Sequence, residues 1–162
     1  MKTLWTPWRM EYVKGEAPSF SGCLFEPPGN SRRDREHLML YRNETVVVLL
    51  NRFPYAHGHL LIAPRRHIAT LTELDANEAH ALMDMVQKCT HILGQLLNCD
   101  GFNIGCNIGE IAGAGVADHL HFHVVPRWQG DHNYMAVVAE IRTIPEHIEN
   151  TYDAFVAKFD RL

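Results

Sequence analysis

Residues 119–125 read His-Leu-His-Phe-His-Val-Val, a strict alternation of imidazole and apolar side chains that ends in an apolar pair. On a β-strand successive side chains point to opposite faces. His119, His121 and His123 then share one face, and Leu120, Phe122 and Val124 share the other. The apolar face can anchor the strand in a core, which leaves three imidazoles together on the remaining side.

The rest of the chain supplies a sheet to hold that strand. "HLMLYR", "TVVVLLN", "HLLIAP", "FNIGCNIG" and "NYMAVVAE" are β-branched or aliphatic runs bounded by turn chemistry, and read as strands. Asp75 and Glu78 form a capping box for a long helix, which "NCDG" at 98–101 stops. Its expected core stripe is Ala79, Leu82, Met83, Val86, Thr90, Leu93 and Leu97, so Met83 and Met85 need only a packing explanation. Pro145 opens a C-terminal helix with Ile148, Tyr152, Phe155 and Phe159 on one face. Residues 1–20, with Trp5, Trp8 and Tyr12 among prolines and charges, suit an arm packing on the body or on a second subunit. "EPPGNSRRDREH" reads as a loop. Strands outnumber helices in a chain too short for repeated βαβ units, which predicts one α+β domain over 1–162 around an antiparallel sheet.

Composition narrows the function classes. The net charge of −4 gives no reason to expect nucleic-acid or membrane partners, and Arg32, Arg33 and Arg35 are interrupted by Asp34 and Glu36. No apolar run approaches the roughly 18 residues of a membrane span. The start has no secretion signal, and four scattered cysteines without a C-x-x-C pair fit a reducing cytoplasm. Histidine is the outlier, with eleven residues.

Three readings of the histidine run stand side by side. It could be coincidence in a histidine-rich chain. It could bind metal, although the Cα atoms of His119 and His123 would lie roughly 13 Å apart on a straight strand, too far for all three to share one ion. It could also be covalent catalysis, with a central neutral imidazole attacking phosphorus while its neighbours hold its tautomer. The glycine-rich "GEIAGAG" directly before the run offers backbone N–H groups as a phosphate cradle, which fits the third reading.

The residues resemble the histidine triad family of nucleotide hydrolases and transferases, whose signature is His-φ-His-φ-His-φ-φ with φ apolar. "GHLLIAPRRH" is similar to the family's upstream Gly-His-(apolar)-Pro-(basic)-His segment. "LWTPWRMEY", "LNRFPYAHGHL", "GFNIGCNIG" and "HVVPRWQGD" resemble the branch of the diadenosine tetraphosphate phosphorylase type. The resemblance implies a five-stranded antiparallel sheet per protomer, with one long helix and a C-terminal helix, and a homodimer with joined sheets.

It also implies roles. His121 would be the nucleophile, with His119, His123 and His59 serving it, the phosphate and the leaving group. Asn51 would lie near the ribose, with Asn107 and Gly113, Ala114 and Gly115 facing the phosphates; His57 reads as a solvent-exposed loop residue. The substrate would be an adenine dinucleotide cleaved at its α-phosphate, with inorganic phosphate as acceptor, water being the alternative. A non-enzymatic metal- or nucleotide-binding module is the rival from another class. No cofactor is expected in the chemistry. Family members with a structural zinc use C-x-x-C and two histidines; here the segment is "CLFE", so the set would be Cys23, Glu26, His67 and His119. A second departure is Ala114-Gly115 where the phosphorylases carry Gly-Ser.

Overall fold

The structure is a computed structural model that describes residues 22–26, 34–131 and 146–162. The expected arm at 1–20, most of the proline-glycine loop, the strand "NYMAVVAE" and Pro145 lie outside the described residues. Five strands, β1 (Met39–Arg42), β2 (Val46–Leu50), β3 (Leu60–Pro64), β4 (Gly101–Cys106) and β5 (Phe122–Arg127), form one sheet in the order β1-β2-β3-β5-β4. Every neighbouring pair is antiparallel. Helix α1 (Ala76–Leu97) joins β3 to β4, and α2 (Ile148–Phe159) ends the chain.

"VVVLL" and "LLIAP" are continuous apolar runs because β2 and β3 are buried on both faces. Val46, Val48, Leu50, Leu60, Ile62 and Val124 face the helices and form the main core with Leu82, Val86, Leu93 and Phe155. Val47, Leu49, Leu61 and Ala63 point the other way, into a smaller cluster closed by Phe25. β4 is a sheet edge bonded only to β5 among the described strands, and its residues 103–105 are exposed.

Helix α1 starts where its capping box predicts. The Asp75 carboxylate accepts from the Asn77 and Glu78 amides at 2.8 and 2.9 Å, and Glu78 accepts from the Asp75 amide at 3.0 Å. Arg66 also grips Glu78 through two bonds of 2.8 and 2.7 Å. That guanidinium first, and the Asp75 amide second, hold the Glu78 carboxyl down to about 2. The helix ends at Asn98 in a left-handed conformation, φ 46°. Its buried stripe is Leu82, Met85, Val86, Cys89, Ile92 and Leu93, which corrects the expected one. Met83 is 47% exposed while Met85 is 2%. The stripe is centred on Cys89, not Thr90, whose hydroxyl donates back to the Gln87 carbonyl at 2.7 Å on the polar flank. Helix α2 buries Thr151, Tyr152, Phe155 and Phe159, close to the predicted face, and the Tyr152 hydroxyl donates to the Met39 carbonyl of β1 at 3.0 Å.

Candidate active site

The ladder between β3 and β5 runs only from Leu60↔Val124 to Ile62↔Phe122. His119 and His121 therefore precede the strand, which begins at Phe122, not at His119 as the alternation predicts. The chain leaves the ladder because the Leu120 amide donates to the Ile68 carbonyl at 2.6 Å, outside the sheet. The histidine rings consequently divide. His121 and His123 stay together, with ring centroids 5.0 Å apart, and His59 lies 5.1 Å from His123. His119 turns away toward His67, at 4.8 Å. The ring of Phe25, fully buried, lies 5.0 Å from both His119 and His121 and separates the two groups.

Hydrogen bonds fix each ring's tautomer, because a carbonyl oxygen can only accept. His121 Nδ1 lies 2.8 Å from the His119 carbonyl and carries the proton, so its Nε2 presents a lone pair. Burial pushes the His121 imidazole below the ordinary histidine value, against the opposing pull of that carbonyl, and keeps it neutral. His59 Nδ1 receives the Tyr55 amide at 3.1 Å and is unprotonated. Its Nε2–H then donates to His123 Nδ1 at 2.9 Å, which leaves the His123 proton on Nε2. Asn51 braces the same ring: its Oδ1 accepts from the Phe53 amide at 3.0 Å, and its Nδ2 lies 3.2 Å from His59 Nδ1. The amide expected near a ribose thus orients His59. Tyr55 stacks on His59 with centroids 4.8 Å apart, a contact that sequence periodicity does not signal.

The Gly-His pair has a steric reason. Gly58 adopts φ +75°, and a Cβ there would lie 2.6 Å from a methyl of Leu97 and 3.2 Å from the Phe155 ring. The two helices thereby press the chain at the residue before His59. His57 is mostly covered, not exposed as the sequence suggests, with its Nε2 3.6 Å from Glu146.

A cleft of about 420 Å³ opens beside His123, lined by Tyr55, Asn103, Gly105, Asn107 and Arg127 among others. Asn107 lines this cleft with His123, and its side-chain amide donates to the Gly113 carbonyl at 3.3 Å. The expected cradle differs at two donors. The Gly113 and Ala114 amides donate to the carbonyls of Glu110 and Gly109 at 2.9 and 3.4 Å, because a short helical turn at Glu110–Ala112 folds the loop onto itself.

On the other side of Phe25, ligand atoms of Cys23, His67 and His119 all lie within 4.8 Å of one another. His119 Nε2–H is spent on the Pro64 carbonyl at 2.9 Å, so Nδ1 faces the Cys23 sulfur, 3.1 Å away. A backbone-anchored imidazole beside a thiol is the donor chemistry zinc takes, and the residues fit such an ion. Glu26 is outside that trio but beside it, with a carboxylate oxygen 3.4 Å from His67 Nδ1. Burial raises the Cys23 thiol above its ordinary value.

The HIT domain family matches residues 32–130. The AP-4-A phosphorylase of Mycobacterium tuberculosis is 37% identical over 160 residues, covering 93% of this chain and 80% of that protein. Two solved structures share the fold. The diadenosine triphosphate hydrolase of Plasmodium falciparum, in complex with cyclomarin A, superposes with a TM-score of 0.65 at 19% identity, covering 95% of this chain and 97% of that one. A zinc-bound histidine triad family protein of Mycobacterium smegmatis gives 0.62 at 24% identity, covering 93% and 90%. The chain belongs to the HIT family, on the branch that includes the mycobacterial AP-4-A phosphorylase.

Proposed function

We propose that this HIT-family enzyme cleaves dinucleoside polyphosphates through a nucleotidyl-histidine. The observation that carries the reading is the pair of tautomers: a lone pair on His121 Nε2 beside a ring, His123, whose proton is on Nε2. In the first step His121 Nε2 attacks the α-phosphorus and the bond from phosphorus to the leaving oxygen breaks. That oxygen departs as a phosphate anion, to which His123 Nε2–H donates a hydrogen bond, while His59 Nε2–H holds His123 in this tautomer. The His119 carbonyl, already accepting from His121 Nδ1–H, stabilises the positive imidazolium that forms. In the second step an acceptor attacks phosphorus and the phosphorus–nitrogen bond breaks.

Inorganic phosphate is the acceptor, so diadenosine tetraphosphate yields ADP and ATP. The named activity of the mycobacterial relative supports this. The loop supports weak phosphate binding, since it lacks a serine hydroxyl and turns two amides inward. A bond to a charged group is worth about 1.5–3 kcal/mol, so the missing hydroxyl lowers phosphate affinity about ten- to a hundredfold. Product analysis with diadenosine tetraphosphate, with and without millimolar phosphate, tests the reading. ADP should rise with phosphate; AMP that is indifferent to phosphate would make water the acceptor, and no cleavage at all would end the proposal.

Cys23, His67 and His119, with Glu26 beside them, would hold a structural zinc, which would crosslink residues 22–26 to the end of β3 and the start of the triad. The exposed β4 edge, with Ile104 47% exposed, would pair with its copy in a homodimer.

A further inference from the structure

We propose that the cleft running from His123 to Arg127 receives the polyphosphate of the departing nucleotide, and that Gly105 keeps its floor open. The proposal rests on the reading of the reaction above, because it assigns a place to the leaving group.

Gly105 stands directly opposite His123 in the β4–β5 ladder, so a side chain there would rise on the same face as the imidazole. Glycine weakens a strand interior and needs a reason. Neither usual reason applies. Its φ is not among the positive ones, and a Cβ built on it meets no atom within 4 Å. Nothing in the described fold requires glycine at this position, while the space its missing side chain leaves is part of the cleft. Gly58 shows the opposite case, where helices fill the space.

The far end of the cleft carries the matching charge. Arg127 lies four residues beyond His123 on the same strand face, roughly 13 Å away at about 3.3 Å per residue. Its Nε and Nη2 donate to Asp131 at 2.5 and 2.9 Å, and its Nη1 to the side-chain Oδ1 of Asn103 at 2.7 Å. Asp131 and Asn103 hold the guanidinium plane, so Arg127 stands at the far end of the cleft as an oriented cation, a group that attracts phosphate oxygens. Asn107 flanks the near end. A chain of phosphates leaving the α-phosphorus at His121 would pass His123, cross Gly105 and end against Arg127 and Asn103.

The test compares binding of AMP and ATP by titration calorimetry to the full chain, as wild type, Gly105→Val, Gly105→Ala and Arg127→Gln. The two nucleotides share a nucleoside and an α-phosphate and differ only in the part that the cleft would hold. ATP affinity should fall about tenfold or more in Gly105→Val, less in Gly105→Ala, and about tenfold in Arg127→Gln, while AMP affinity changes by less than about threefold. The melting temperature of Gly105→Val should not fall, since valine suits a strand better than glycine. ATP binding that is indifferent to Gly105→Val, or ATP and AMP weakened by the same factor, overturns the subsite. So does a wild-type protein that binds ATP no better than AMP. The predicted pattern in a protein that does not cleave diadenosine tetraphosphate would overturn the reaction and leave the subsite supported.

Discussion

His119 and His123 are four residues apart in one short run, yet they serve different networks on either side of Phe25. On one side His123 is oriented through His59 by a backbone amide and lines the cleft. On the other, His119 gives its proton to Pro64 and turns its second nitrogen to a thiol and His67. The same side-chain type thus carries the proton on Nε2 in both places, but is fixed from opposite nitrogens: His119 through Nε2 by a carbonyl, and His123 through Nδ1 by His59. An alternating sequence is one feature; the hydrogen bonds divide it into a reactive half and a bracing half.

The division can be broken at the residue between the two halves. His121→Ala should lose about 10³-fold or more in single-turnover rate, because no neighbour replaces a covalent nucleophile. Its circular dichroism should stay that of the wild type, and acid-quenched mass spectrometry of the wild type should map an adduct to the peptide holding His121. A folded variant within tenfold of wild type ends the covalent reading. His59→Ala comes next, with about a 10²-fold loss confined to kcat, since His123 then loses the donor that fixes its tautomer. Its metal content should not change, which places the loss on the reactive side alone.

The bracing half answers differently. Cys23→Ala should lower the melting temperature by several degrees and change the rate in the cold by less than about tenfold, because a structural metal contributes to folding and not to the barrier. Elemental analysis should show zinc in the wild type and none in the variant; its absence from both would leave Cys23 as a half-buried thiol without a metal role. Rate loss under chelator without loss of fold would move the metal to the reactive half.

The smallest effect lies in the pH profile. Below its pKa the His121 imidazole is protonated and its attacking lone pair is gone. Burial lowers that pKa, so the acid limb of kcat/KM should fall below histidine's ordinary 6.5. A limb at or above 6.5 would mean that a partner charges His121 in the free enzyme.

Much of this was legible in the sequence because it depends on local chemistry. The helix start at Asp75, its stop at Asn98, the apolar strands and the gathering of His59 with His123 follow from caps, periodicity and two matching segments. What was not legible depends on contacts across the chain. The strand begins at Phe122 because Ile68, about fifty positions earlier, captures the Leu120 amide. The helix stripe rotates from Met83 to Met85 because Cys89 is the side chain that fits the core. Phe25 and Tyr55 reach the histidines through ring contacts that no spacing rule encodes. Asn51 reads as a residue near the ribose, and its contact with His59 Nδ1, across eight positions, is one that the sequence does not signal.

The orienting chain that ends on His123 begins at the Tyr55 amide, and that origin has a consequence for how the reaction tolerates its surroundings. In a serine protease the corresponding anchor is a carboxylate, which both aims the imidazole and attracts a positive charge onto it. A peptide N–H aims the ring without that attraction and has no titration of its own in the range where enzymes work. Acidification therefore cannot disarm the anchor before it reaches the rings themselves. His59 and His123 can therefore keep one tautomer throughout, and in the proposed mechanism His123 lends the departing oxygen a hydrogen bond without giving up its proton.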